Sequence, residues 1–283
     1  MRKIDQKQIG SIFALVLASV IWGGSFIVTK DTLDYLSPLW QLALRLSIAS
    51  IPALFLAVIL HRKWNKAVMI KSMVMGIAFF AAICFQNIGM QYVSASKSGF
   101  LTTTYVAFVT LIEIVFLRHK VKTRQILAAI ICMIGAALLS LQNSLIPQIG
   151  DVLILFCGFM YAVHILYADH CIDEDPLLMH IGQILTATVL ALLAAFLFEA
   201  PPQVINTRCW FGLTYCGLLE VFLCFFLQII GQRNSNAALA SILLSMESVY
   251  AAFFAFLFLG DVMSVPMVIG SVMIFSAAVI NGR

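Results

Sequence analysis

Six ionisable side chains stand inside long apolar stretches of this 283-residue chain: Arg45, Glu113, His164, His180, Glu220 and Glu247. A charge at the centre of a bilayer costs about 2.5–3.5 kcal/mol on insertion scales, so each such residue needs a partner or a role. Glu247 shares one helical side with Ala240, Leu243, Leu244, Ala251 and Phe254, a small-and-aromatic face suited to close packing or a cavity wall. Glu220 shares a side with Cys216, Gly217, Cys224, Gln228 and Gly231, a stripe that would be a poor face to show to lipid. Either carboxylate can bind an amine or carry a proton, the second being how a solute's movement couples to a proton gradient. The alternative for both is an interior carboxyl, protonated or paired, that holds helices together.

Around them lie neutral polar and aromatic candidates. Trp22 with Ser25, and Tyr161 with His164, supply aromatic walls with one polar group each, which suits an organic solute. Gln86 and Asn87 offer amide donors and acceptors. His164 can equally be a hydrogen-bonded packing residue. Glu113 lies one turn from Arg118 and reads as a salt-bridged or snorkelling end residue, and Arg45 as half of a structural ion pair or a carbonyl cap. Thr102 and Thr103 carry hydroxyls that in membrane helices commonly bond back to their own backbone. Gly23-Gly24 either loosens its helix or allows a close helix contact.

A different chemistry is offered by Asp169-His170-Cys171-Ile172-Asp173-Glu174-Asp175, with His180 nearby. The Asp169-x-x-x-Asp173 spacing could hold Mg²⁺ and a diphosphate, which would make the chain an integral-membrane enzyme. Such chemistry needs carboxylates converging from several elements, and no second acidic cluster exists, so a solvated loop is the ordinary explanation. A channel or a non-transporting receptor is a third reading. The seven cysteines show no C-x-x-C pair and read as small buried hydrophobes. No P-loop motif occurs, which argues against ATP hydrolysis by this chain. No catalytic residue, cofactor or resident metal is expected.

Composition says what must position these residues. The chain is 62% hydrophobic and only 11% charged, with a mean hydropathy of +1.02, against roughly 45–50% apolar and 25% charged for a soluble domain. A span of about 20 apolar residues crosses roughly 30 Å of hydrocarbon as a helix, since the backbone must satisfy its own hydrogen bonds in lipid. Ten runs fit: 9–30, 39–60, 70–91, 96–117, 124–142, 151–170, 177–198, 210–231, 237–259 and 264–281. The expected fold class is all-α integral membrane with ten transmembrane helices. The first run continues too far past Trp22 to read as a cleaved signal peptide.

The net charge of +4 is no nucleic-acid signal; its meaning lies in its distribution. With the N-terminus in the cytoplasm, thirteen Lys and Arg fall on the cytoplasmic side, Arg2, Lys7, Arg62, Lys71 and Arg118 among them, and three outside, Lys30, Lys97 and Arg208. Both termini are then cytoplasmic, and with such short loops a bacterial cytoplasmic (inner) membrane is the expected home. The acidic connection after the sixth run dissents, because it should be cytoplasmic yet has no Lys or Arg.

The halves resemble each other. Phe116-Leu117-Arg118-His119-Lys120 ending the fourth run matches Phe258-Leu259-Gly260-Asp261-Val262 ending the ninth. Ala95-Ser96-Lys97-Ser98-Gly99 matches Ala237-Ala238-Leu239-Ala240-Ser241, and Trp22 and Ser25 correspond to Tyr161 and His164. A repeat of five helices is odd-numbered, so its second copy enters the membrane from the opposite side. The expected domains are residues 1–142 and 151–283, related by a two-fold axis in the membrane plane, with a site near the midplane where they meet.

At this level the chain resembles the drug/metabolite transporter superfamily, in its ten-helix EamA-like branch. The most specific stretch runs from Gln86-Asn87-Ile88-Gly89 to Lys97-Ser98-Gly99-Phe100, supported by Trp22-Gly23-Gly24-Ser25-Phe26, Arg45, Leu257-Phe258-Leu259-Gly260-Asp261 and Gly270. Thr110 and Ser248 stand where such proteins usually carry prolines in the fourth and ninth helices, and His119 and Asp261 where they usually carry Glu. The resemblance implies two inverted five-helix repeats and a central cavity lined mainly by helices one, three, four, six, eight and nine. It implies alternating access for small organic metabolites, often amino acids or related compounds moving outward, with the lipid bilayer and the solute as partners and protons as a candidate coupling ion. The missing prolines undercut any kink argument taken from relatives.

Overall fold

The computed structural model describes residues 6–140, 148–259 and 264–282. Arg2, Lys3, Pro147, Gly260, Asp261, Val262 and Arg283, which carry part of the charge, turn and repeat patterns of the sequence, lie outside the described residues. The chain runs α1 Gln6–Leu33, α2 Pro38–Ile59, α3 Lys66–Met90, α4 Ala95–Thr102, α5 Tyr105–Val115, α6 Thr123–Ser140, α7 Ile149–His170 and α8 Pro176–Phe198. It continues with α9 Thr207–Tyr215, a π-helical segment Cys216–Leu223, α10 Cys224–Gln232, α11 Ala237–Leu244, α12 Glu247–Leu259 and α13 Val265–Gly282. Among the described residues eight stretches are long and apolar enough to cross a membrane, with α4–α5, α9–α10 and α11–α12 each counting as one. Thr123–Leu138 and Val265–Asn281 are shorter apolar helices. The protein is an all-α integral membrane protein, and its outward-facing Phe13, Val58, Phe116 and Phe198 are exposed because lipid is their solvent.

Helix starts follow local chemistry. Asn65, Ser94, Asn206 and Asn236 each accept a hydrogen bond from the backbone N–H three residues on, and Asp175 caps α8 through Leu177 and Leu178. Pro38 and Pro176 occupy the first turns of α2 and α8, where a missing N–H is harmless.

Two runs expected to be continuous are interrupted. The fourth breaks at Thr103–Thr104 and the ninth at Ser245–Met246, without a proline at either place. Hydroxyls bond back at both places: Thr103 Oγ1 donates to the Gly99 carbonyl at 2.8 Å, Thr104 Oγ1 to Leu101 at 2.6 Å, and Ser245 Oγ to Ile242 at 2.7 Å. Such bonds bend helices, and here the backbone at Thr103 and Ser245 tightens to ψ near −14°. The Gly23 alternative resolves as close contact. α1 runs uninterrupted, and a Cβ at Gly23 would lie 2.9 Å from both the Ala251 nitrogen and the Glu247 carbonyl.

The dissenting acidic loop finds its positive charge in space. Lys71 Nζ meets Glu174 at 2.6 Å and Arg62 meets Asp175 at 3.2 Å, so this loop lies on the same side as the basic 61–66 connection. At the opposite end Lys97 pairs with Asp151, Arg208 with Asp31, and Glu199 receives the backbone N–H groups of Leu39 and Trp40. Glu113, by contrast, forms no ion pair with Arg118; its Oε2 has no hydrogen-bond partner among the described residues.

Packing follows a regular exchange. α3 packs on α7, as the π segment and α10 pack on α1; α3 packs on α8, as the π segment packs on α2; α6 packs on α13. Gly89 in α3 abuts Ile154 and Gly150, and Gly231 in α10 abuts Leu15 and Ser11. The glycines are 142 positions apart (89 to 231), and both pairs of partners are 139 apart (15 to 154, 11 to 150).

Candidate functional site

A narrow cavity of about 20 Å³ lies inside the bundle. Trp22, Ser25 and Phe26 of α1, Gln86 of α3 and Tyr105 of α5 line one part of it. Tyr161 and Ile165 of α7, Glu220 of the π segment, Gln228 of α10, Leu244 of α11 and Glu247 of α12 line the rest. Six of the eight residues singled out from the sequence therefore stand on its walls. Asn87 and His164 do not, because both are engaged behind the wall. Tyr105, Phe26 and Ile165 are lining residues that the sequence pattern did not single out. The repeat held a signal for Tyr105, which precedes Glu247 by the same 142 positions that separate Ala95 from Ala237.

The carboxylates sit in different surroundings. Glu220 is neutralised: Arg45 Nη1 donates to its two oxygens at 2.8 and 3.0 Å, with the Arg45 side chain 0% and that of Glu220 6% exposed. Arg45 Nη2 donates to Asn87 Oδ1 at 3.0 Å. Asn87 Nδ2 donates in turn to Gln41 Oε1 at 2.6 Å and to the Pro38 carbonyl, and Gln41 Nε2 to Thr32 Oγ1. This network closes the arginine within the protein, with its Nε–H left unpaired. Arg45 itself is not on the cavity wall.

Glu247 has no cation beside it among the described residues. Its hydrogen-bond partner among the described residues is Tyr105, whose hydroxyl donates to Oε1 at 3.2 Å. The break at Ser245–Met246 makes Glu247 the first residue of α12, with its side chain buried against the cavity.

A second, uncharged network holds His164. Its Nε2 lies 2.8 Å from Gln183 Oε1, while Gln183 Nε2 lies 3.2 Å from His180 Nδ1. Gln228 Nε2 donates to Gln232 Oε1 at 3.0 Å and lies 3.4 Å from His164 Nδ1. Phe225 stacks on Tyr161 at 6.3 Å and meets His164 edge-on at 5.7 Å, wedging the histidine away from the cavity. Gln86 Nε2 donates to Thr102 Oγ1 at 3.2 Å, so Thr102 serves a neighbouring helix while Thr103 bonds back to its own. The indole N–H of Trp22 donates to the Glu220 carbonyl at 3.0 Å.

The lining falls largely into partners from the two halves. Trp22 corresponds to Tyr161 and Phe26 to Ile165, both 139 apart (22 to 161, 26 to 165). Gln86 corresponds to Gln228, and Tyr105 to Glu247, both 142 apart (86 to 228, 105 to 247). Tyr105 and Glu247, 142 positions apart (105 to 247), touch each other.

Glu174 and Asp175 are held by Lys71 and Arg62, and no group of three or more His, Cys, Asp or Glu converges as a metal site among the described residues.

An uncharacterized transporter of Archaeoglobus fulgidus is 28% identical over 97% of this chain and 86% of its own length. The uncharacterized transporter YoaV of Bacillus subtilis is 24% identical, over 95% of this chain and 96% of its own. A protein of solved crystal structure, 14% identical, superposes with a TM-score of 0.79 over 96% of each chain, which is a likeness of fold. The EamA-like transporter family matches twice, over residues 9–141 and again over 148–283. This chain belongs to the EamA-like transporter family and is a membrane transporter rather than an enzyme.

Proposed function

We propose that the protein is a secondary transporter of small organic metabolites, in the class of amino acids and related compounds, working by alternating access between two inverted five-helix repeats, residues 1–142 and 151–283. The observation that carries this reading is the cavity built from repeat-related pairs, Trp22 with Tyr161, Gln86 with Gln228 and Tyr105 with Glu247. A site on the axis between inverted halves stands in the same relation to both faces of the membrane, so exchanging the conformations of the halves would open it to either. The two family matches and the exchange of helix contacts support the repeat. Counting each interrupted helix once and adding the two short apolar helices makes ten spans.

The basic 61–66 connection and its acidic partner loop form the cytoplasmic side in this reading, with both termini there, in a bacterial cytoplasmic (inner) membrane. Export is the direction the family resemblance implies. Glu247, buried with a tyrosine as partner, is the group that would exchange a proton for the solute.

Reconstituted protein tested by counterflow against amino acids, amines, nucleosides and organic acids should show saturable exchange of at least one class, and an imposed pH gradient should change its rate. Absence of exchange with every class, in protein shown to be folded, would overturn the reading. A high unitary conductance in planar bilayers would replace the carrier with a channel.

A further inference from the structure

We infer, narrowing the transport reading to the amines among compounds related to amino acids, that the cavity selects solutes that carry an ammonium group and lack a free carboxylate. The inference rests on what is left over once internal hydrogen bonds are made. Among the described residues no Lys or Arg lines the cavity, while two carboxyl groups do. Arg45, the cation beside it, is enclosed by Glu220 and Asn87. Glu220 is thereby balanced, and Glu247 is the carboxyl left to pair with a ligand.

The neutral groups point the same way. The side-chain amide nitrogens of Gln86 and Gln228 are engaged with Thr102 and Gln232, and their carbonyl oxygens have no hydrogen bond among the described residues. The Trp22 N–H is taken by the Glu220 carbonyl, the Ser25 hydroxyl donates to the Trp22 carbonyl, and the Tyr105 hydroxyl donates to Glu247. Acceptors therefore outnumber the donors left to a ligand, which are the Tyr161 hydroxyl and the second N–H of the Gln86 amide. An ammonium supplies three donors and no acceptor, and the aromatic faces of Trp22 and Tyr161 favour a cation. A carboxylate entering the same space would bring a negative charge against the Glu247 carboxyl and find few donors.

The test uses full-length protein in lipid nanodiscs and three probes of matched shape. These are 2-phenylethylamine, phenylalanine, which adds a carboxylate, and 3-phenylpropionate, which keeps the carboxylate and drops the amine. The amine should bind at least about tenfold more tightly than either other probe, and Glu247→Gln should weaken it by about ten- to a hundredfold, the range for a charged hydrogen bond. Equal or tighter binding of phenylalanine or phenylpropionate overturns the inference, as does failure of the amine to bind. The probe comparison needs only the natural chain, so it decides the matter even where Glu247→Gln does not fold. Counterflow of carboxylate-bearing solutes alone would leave the transport reading standing and remove this one.

Discussion

Replacing Arg45 by Gln isolates the most costly electrostatic feature of the bundle. The arginine is fully enclosed, its Nη1 bridges both oxygens of Glu220 at 2.8 and 3.0 Å, and its Nη2 holds Asn87. Removing one member of a buried pair leaves the other charge uncompensated, at about 3–5 kcal/mol. Removing both is much milder, because the attraction within such a pair largely offsets the desolvation of its two charges. Arg45→Gln should therefore lower the unfolding midpoint by roughly 6–20 °C at about 2–4 °C per kcal/mol. Arg45→Gln combined with Glu220→Gln should recover most of the loss. Six of the seven cysteines are buried, so a thiol-reactive fluorophore reads the transition in detergent without labels. The deficit also has a sign with pH: only an ionised Glu220 is orphaned by the mutation, so the loss shrinks as falling pH protonates it. A single variant within about 2 °C of the natural chain, or a double variant no more stable than the single, would refute the argument.

Packing and topology set three further outcomes. A Cβ at Gly89 would sit 2.6 Å from Ile154 Cγ1 and one at Gly231 2.7 Å from Leu15 Cγ, whereas Gly10 has open space around it. Valine at either of the first two should cost about 1–3 kcal/mol in thermal unfolding, with Gly10→Val neutral; a loss at Gly89 with none at Gly231 would contradict their equivalence. In separate single-cysteine variants, Lys63→Cys and Asp173→Cys should react with a membrane-impermeant thiol reagent from one side and Gln203→Cys from the other. Opposite labelling of Lys63 and Asp173 positions would break the assignment of the acidic loop. Trp22→Phe keeps an aromatic ring but removes the N–H that satisfies the Glu220 carbonyl along with part of the buried indole, so stability should fall by at least about 1–3 kcal/mol; an unchanged midpoint would show that carbonyl satisfied elsewhere.

What could be read from the sequence was decided by which interactions are local. Spans are local, because apolar length alone dictates them in lipid, and the long helices are where the apolar runs are. The side of Glu220 and Glu247 was also legible, since helical periodicity assigns a direction to each side chain. Depth was not. Asn87 and His164 point inward as expected, but Arg45 and Gln183, distant in sequence, draw them behind the wall. The breaks at Thr103–Thr104 and Ser245–Met246 escaped for a different reason. Proline is the visible signal for a broken helix, whereas a cluster of hydroxyls bonding back to their own carbonyls looks from sequence like ordinary polar decoration. The acidic loop seemed to contradict the charge pattern only because Lys71 and Arg62 reach it from another connection.

The π-helical segment explains why a cavity built from matched pairs nevertheless carries an unmatched charge. Gly76 in α3 abuts Gln183 and Thr186, while Gly217 abuts Arg45 and Ile48. Each partner pair is 138 apart (45 to 183, 48 to 186), and the two glycines are 141 apart (76 to 217). Beyond the segment Gln86 and Gln228 are 142 apart (86 to 228). One residue has thus been added to the second half between these points, and the added residue is accommodated where Cys216–Leu223 winds as a π-helix. The wider π turn takes up the extra residue locally, so the helix on either side keeps its facing while the residues within the turn are displaced from the register of the first half. In the first half the corresponding stretch presents Ala78 and Phe79, both buried and apolar. In the second it presents Glu220, with the Trp22 indole taking up its carbonyl and Arg45 its charge. On the proposed two-repeat reading, symmetry between the halves would account for where the cavity is, and the departures from it, an inserted residue near Glu220 and a carboxylate opposite Tyr105, for its chemistry.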